Sequence, residues 1–329
     1  MLHRTPRAPS VCRATVATAL ALSLSFPGVL SGGAVDPEAT PQAPVRIGLV
    51  SSIFRDLPVK LLNASTQIFQ VLMQAQTGLQ GDLRTLGDAL ELGEALAKEQ
   101  VQLGVFHGVE FAWARQQYPQ LRPLVIIVNQ HPYLRAHLLM RQDCPATQFA
   151  DLQGKTLALQ GGNKEHCRLF VERQCRLCGK EWPRFFAHIT TPANAEDALD
   201  ALVDGVVQAA VVDGVALDCY QRRKPGRFAK LKEVQQSEAF PAAVVAYHAG
   251  ALDEALLERF RGGMLTANQN LRGQQLMTLW RITGFEPIPG DYEQALAAIV
   301  KVYPPPAGAG SSPTFLQTGT IPLPADVPK

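Results

Sequence analysis

The sequence predicts an α/β fold of alternating strands and helices, and three observations carry that expectation. Short, mostly apolar runs recur, VRIGLV (45–50), VVQAAVV (206–212) and AAVVAY (242–247) among them, and LVIIV (124–128) is apolar throughout. Runs this unbroken suit strands covered on both faces, as in parallel sheets, because half-exposed strands alternate apolar with polar residues. Between them lie segments with helical spacing of apolar residues, such as 57–76 with Leu61, Leu62, Ile68, Phe69, Leu72 and Met73, closed by Gly78. The order strand–helix–strand–helix then repeats, which defines the α/β class.

Element by element, a strand is expected over 45–50, a helix over 57–76, a strand over 80–86 and a helix over 88–99. A strand over 101–106, a short helix over 110–115 and the strand 124–128 complete the first half. The second half opens with strand 134–140 and, after DLQGK (151–155), strand 156–159. A helix starts at Gly161-Gly162-Asn163 and runs to Leu177. Strand 185–189, helix 195–204, strand 206–212 and helix 215–222 follow, with a polar loop over 222–226. Strand 242–247 and one helix over 252–271, acidic early and basic late in the favoured dipole order, complete the pattern.

Composition bounds the function. The chain has 329 residues, 47% hydrophobic and 18% charged, enough for a sizeable core and two domains. It is neither a disordered chain nor a disulfide-dense mini-domain. Arg4, Arg7 and Arg13 precede an apolar run, Ala14–Leu24, a Pro27-Gly28 breaker and the small residues Ser31-Gly32-Gly33-Ala34. This three-part layout is that of a secretory signal peptide over 1–34, and its apolar stretch is shorter than a spanning helix requires. Removing it leaves 28 basic against 29 acidic side chains, a formal charge of −1. A near-neutral mature surface excludes general nucleic-acid binding. An exported, soluble monomer is expected, with a Pro-rich lead-in over 35–44 and a flexible Pro-rich tail over 304–329.

Four segments carry a family resemblance: VRIGLV with its polar loop and long helix, VQLGVFHGVEF (101–111), FADLQGKTLALQGG (149–162), and NAEDALDALVDGVVQAAVVDG (194–214), whose strand ends at Asp213. Taken in order, from Val45 to Tyr303, the chain resembles the phosphate/phosphonate-type periplasmic solute-binding proteins of ABC transporters. The resemblance implies a two-lobed periplasmic-binding-protein-like fold, each lobe a mostly parallel sheet flanked by helices, joined by hinge crossovers. Lobe 1 would comprise 45–129 and 240–303, and lobe 2 would comprise 130–239. It further implies an oxyanion such as phosphate or a phosphonate held in the interlobe cleft, an ABC permease as partner, no cofactor and no catalysis. Open α/β sheets independently place ligands at the carboxyl ends of strands.

The candidate ligand-binding residues follow from those strand ends. Ser51, Ser52 and Phe54 follow the first strand, and His107 and Gly108 end the third. Tyr133 sits at the proposed crossover. Gly161, Gly162, Asn163 and Lys164 open a helix, where backbone N–H groups and the helix dipole favour an anion. Asp213 either accepts from a ligand donor or caps the next helix, and Arg135 is a second candidate countercharge. The family's Ser/Thr run at the second-lobe helix start is replaced here by Gly161-Gly162-Asn163-Lys164, and a family His falls at Asn194.

Six cysteines are present. Cys12 leaves with the leader, so Cys144, Cys167, Cys175, Cys178 and Cys219 remain. Cys167 and Cys178 would stand about 16 Å apart along one helix, too far to bridge. Buried thiols or a disulfide are expected over a zinc site, because His166 and Cys167 diverge on a helix. An exported redox or metal-binding protein using His166, Cys167, Cys175 and Cys178 is the alternative reading. No GxSxG, HExxH or GxxxxGK[ST] motif occurs.

Overall fold

The computed structural model describes residues 44–55, 59–162 and 164–306. The segment read as leader and lead-in up to residue 43, residues 56–58, Asn163 and the tail beyond 306 lie outside the described residues.

Two sheets, each flanked by helices, make up the fold. Strand β1 (Val45–Val50) is followed by a 3-10 turn (Ser51–Phe54), α1 (Val59–Thr77), β2 (Gly81–Leu86), α2 (Ala89–Ala97), β3 (Leu103–Phe106), α3 (Gly108–Gln117) and β4 (Leu121–Val128). The chain then crosses over through β5 (Tyr133–Leu134). The second half holds β6 (Ala136–Arg141), β7 (Thr156–Leu159), α4 (Glu165–Leu177), α5 (Trp182–Phe185), β8 (His188–Thr190), α6 (Ala195–Val203), β9 (Ala209–Asp213), α7 (Gly214–Arg223), α8 (Pro225–Phe228) and β10 (Leu231–Gln236). It returns through β11 (Phe240–Pro241) into β12 (Ala243–His248), α9 (Glu254–Leu265), α10 (Leu271–Trp280), β13 (Gly284–Glu286) and α11 (Tyr292–Val302).

The first sheet has six strands in the order β13-β4-β12-β3-β1-β2, and the second has five in the order β10-β6-β9-β7-β8. The two crossovers lie side by side, β5 pairing antiparallel with β11 through Phe240–Leu134 and Pro241–Tyr133. Hydrophobic clusters cover both faces of both sheets.

The expected two-lobed α/β architecture is present, with strand directions differing from expectation. The first sheet is parallel only at β1–β2 and β1–β3. The returning strand β12 enters antiparallel between β3 and β4, and β13 joins β4 antiparallel as well. In the second sheet only β7–β8 and β7–β9 are parallel. The unbroken run LVIIV therefore records burial on both faces and not strand direction.

Other departures have local causes. The strand expected over 185–189 begins only at His188, because Pro183 seeds the helical turn α5, and Phe185 and Phe186 pack with Phe149. The single helix over 252–271 is two helices. A 3-10 turn (Ala267–Gln269) interrupts it, and Asn270 starts α10 by accepting from the Gly273 N–H at 2.8 Å. The loop over 222–226 contains α8, and the polar edge strand β10 has too little alternation to be read from sequence.

Candidate functional site

The site is built where β1, β3, β9 and α4 end or begin. Strand β3 delivers His107 as the residue preceding α3, a helix whose first seven residues, Gly108 to Ala114, are all buried. Within that apolar stretch Glu110 is only 6% exposed, and its carboxylate accepts a hydrogen bond from Ser52 Oγ at 2.8 Å. Burial pushes the Glu110 carboxyl up, against the opposing influence of His107. The His107 side chain is 8% exposed, and its Nε2 is buried with no hydrogen-bond partner among the described residues. Gly108 is glycine for a steric reason: an added Cβ would lie 2.3 Å from the Pro241 carbonyl oxygen and 2.6 Å from that of Ala242. The return crossover thus rests directly on the start of α3.

The second half contributes the start of α4 and the end of β9. Gly162 adopts φ +82°, the left-handed region that favours glycine, and turns the chain into α4. The Gly161 N–H donates to the Pro192 carbonyl at 2.9 Å. Asp213, 1% exposed, caps α7 by accepting from the Ala216 N–H at 3.2 Å. The same carboxylate lies 3.2 Å from His166 Nε2 and 3.4 Å from Lys164 Nζ. A carboxylate only accepts, so His166 Nε2 carries the hydrogen. Burial works to raise the Asp213 carboxyl; the His166 hydrogen bond and the Lys164 charge overcome it and hold the group well below the usual carboxylate range. Burial pushes the His166 imidazole down, against the opposing influence of the Asp213 carboxylate.

Helix α4 also forms the seam between the two halves. Glu165, Leu169 and Arg173 share one face at i, i+4 and i+8. Glu165 pairs with Arg55 at 3.3 Å from the turn after β1, while Arg168 on its own helix donates to both of its oxygens. Burial works against the Glu165 charge, and the Arg168 hydrogen bonds with the Arg55 charge hold its carboxyl down. Leu169 belongs to the hydrophobic cluster of the first sheet. The Arg173 guanidinium lies 5.5 Å from the Tyr303 ring centroid and 3.4 Å from Glu238.

The sequence candidates thus fall into three groups. Ser52 and His107 on one side, and Gly161, Gly162, Lys164 and Asp213 on the other, stand at the facing strand and helix ends. His107 is close enough to Glu165 and His166 to influence both electrostatically across the two halves. Other candidates have structural employment. Tyr133 donates its hydroxyl to Asp291, and burial with that partner pushes it up to about 12. Asn194 caps α6, accepting from the Asp197 N–H at 2.9 Å and donating to its carboxylate at 2.8 Å. Ser51 is exposed, with its N–H on the Gly87 carbonyl, and Arg135 is exposed and donates to the Ser237 carbonyl. Phe54 lies in the 3-10 turn.

Sequence reading missed Glu110, Glu165 and Arg55. A signal existed for the first: an acid inside VEFAWA must be partnered if the run is buried.

The cysteines do not support a redox or metal role. All five described cysteines are free thiols. Cys167 and Cys175 are buried in the second sheet's core, with Cys144 and Cys178 packed against the same cluster. Burial pushes Cys167 well up and Cys175 up to about 12, which leaves thiols and not the reactive thiolates. Among the described residues no group of three His, Cys, Asp or Glu side chains is placed to hold a metal ion.

Two sheets joined by paired crossovers, with polar groups converging from both halves, define a two-lobed solute-binding protein. The profile for the phosphonate periplasmic substrate-binding protein of ABC transporters matches residues 56–292, and the chain belongs to that family. The family is a substrate-binding component of transport and implies export to the periplasm. Among the described residues no helix is long and apolar enough to cross a membrane.

Similar solved structures share the fold. XAC2383 from Xanthomonas citri, bound to chloride ion, is 17% identical with a TM-score of 0.57, covering 80% of this chain and 98% of its own. A binding-protein component of an ABC phosphonate transporter from Pseudomonas aeruginosa is 15% identical with a TM-score of 0.51, covering 79% and 85%. PhnD1 from Prochlorococcus marinus, in complex with methylphosphonate, is 12% identical with a TM-score of 0.51, covering 78% and 97%. Among curated protein sequences none matches this chain.

Proposed function

We propose that this protein is exported on the leader 1–34 and, as a monomer, captures a small oxyanion such as a phosphonate or phosphate between two lobes, 45–129 with 240–303 and 130–239, for an ABC permease. The observation that carries the reading is His107 Nε2, a buried polar atom without a partner, at the lobe-1 face of the polar ends described above. An unpaired polar group buried in the protein costs about 1–3 kcal/mol, so its presence favours a ligand that pairs it. Ser52 and His107 bind from lobe 1; Lys164 and the Gly161–Gly162 turn bind from lobe 2. Asp213 holds Lys164 and His166 in place.

Each cation here already faces a carboxylate: Lys164 faces Asp213, while Arg55 and Arg168 face Glu165. The site therefore offers an anion directed hydrogen bonds more than excess charge, which suits a monoanion better than a dianion. A thermal-shift panel of methylphosphonate, phosphate, sulfate and methanesulfonate tests the reading. A ligand present at one hundred times its Kd stabilises the folded state by about 2.7 kcal/mol, a rise of several degrees in Tm. No shift with any of the four would reject the oxyanion reading.

A further inference from the structure

We infer that Glu110 is a positioning residue that sets which way the Ser52 hydroxyl points, so that capture of an ionised oxyanion at Ser52 takes one proton into the Glu110–Ser52 pair. The inference rests on the oxyanion reading above and adds to it a proton requirement. With Glu110 ionised, Ser52 Oγ–H is committed to Glu110 Oε2 at 2.8 Å. Both side chains are buried, so water does not readily supply an alternative partner. Ser52 then presents only lone pairs, which repel an oxyanion.

A proton from solvent on the Glu110 carboxylate reverses the pair. The carboxyl O–H donates to Ser52 Oγ, and the hydroxyl hydrogen turns toward the ligand oxygen. No bond other than the carboxyl O–H forms, and no redox partner is needed.

The groups facing Glu110 fit this role. Burial raises its proton affinity, the Glu165 carboxylate of α4 across the cleft raises it further, and His107 with its backbone N–H opposes both. A bound anion adds a second negative charge beside the carboxylate and moves the balance toward the protonated form. Sequence alone gives Glu110 no such task, since an acid in the first turn of a helix ordinarily serves the helix dipole.

The sign follows from linkage. The complex holds its Glu110 proton to higher pH than the free protein does, so binding takes up protons and affinity rises as pH falls. A full proton corresponds to up to about tenfold in Kd per pH unit.

The test is calorimetric titration of methylphosphonate into wild type, Glu110→Gln and Ser52→Ala, in two buffers of different ionisation heat, from pH 5 to 8. The ligand's own titration is common to all three proteins and cancels in the differences. Wild type is expected to take up more protons per ligand than either variant, by up to one, and to show the steeper gain in affinity toward low pH. Equal proton uptake in wild type and in whichever variant folds and binds would overturn the inference while leaving oxyanion capture intact. Folded wild type that fails to bind methylphosphonate at any pH would overturn this inference for that ligand, and the panel above then decides whether oxyanion capture itself stands.

Discussion

Gly108→Ala is expected to destabilise the protein by about 3 kcal/mol, the upper range for a side chain forced into a filled space. The new methyl group would meet the backbone carbonyl oxygens of Pro241 and Ala242 at 2.3 and 2.6 Å. Backbone atoms do not swing aside as a side-chain end does. Relief would require moving the return crossover off α3, and with it the pairing of Phe240 with Leu134 and Pro241 with Tyr133. Chemical denaturation of wild type and variant measures the loss. A difference below about 0.5 kcal/mol, the range of neutral surface changes, would show that the crossover does not rest on Gly108.

Asp213→Asn should cost a similar amount, about 3 kcal/mol at neutral pH, because it removes one partner of a buried ionic cluster. The amide still caps α7, but it leaves Lys164 without its counter-charge and alters the acceptor that fixes the His166 ring. The pH dependence is specific. The folded carboxyl is held below its ordinary value, so its contribution is complete above the unfolded value of about 3.9 and is lost as pH falls below it. The gap between wild type and variant is expected to persist from pH 8 down to about pH 5 and to narrow below pH 4. A gap that narrowed instead between pH 8 and 6 would assign the effect to another group.

The sequence carried the architecture because the architecture depends on patterns a sequence displays. Apolar runs placed Val45–Val50 and Thr156–Leu159 at their observed bounds, and the Gly161–Gly162 turn marked the approach to α4, which begins at Glu165. Strand direction escaped because it depends on a long-range event, the insertion of β12 between β3 and β4. The end of α9 escaped because a 3-10 turn with a new Asn270 cap preserves helical spacing. At the site, Ser52, His107, Lys164 and Asp213 were legible as residues at strand and helix ends. Glu110, Glu165 and Arg55 were not, since their importance arises from partners 58 and 110 residues away in the chain, brought near only by the fold. Whether a polar residue such as Asn194 or Tyr133 faces the cleft or merely serves its own element is likewise decided by hydrogen bonds that spacing does not reveal.

Capture between the lobes requires one ligand held by both at once, by His107 from the first and Lys164 from the second. Isothermal titration of methylphosphonate into wild type, His107→Ala and Lys164→Ala tests it most directly, with circular dichroism establishing that each variant folds. Losing a hydrogen bond to an ionised ligand group costs about 1.5–3 kcal/mol, or roughly 10- to 150-fold in Kd. A loss of that size is expected in each variant separately. An affinity that falls in one variant and stays at the wild-type value in the other would contradict capture between the lobes.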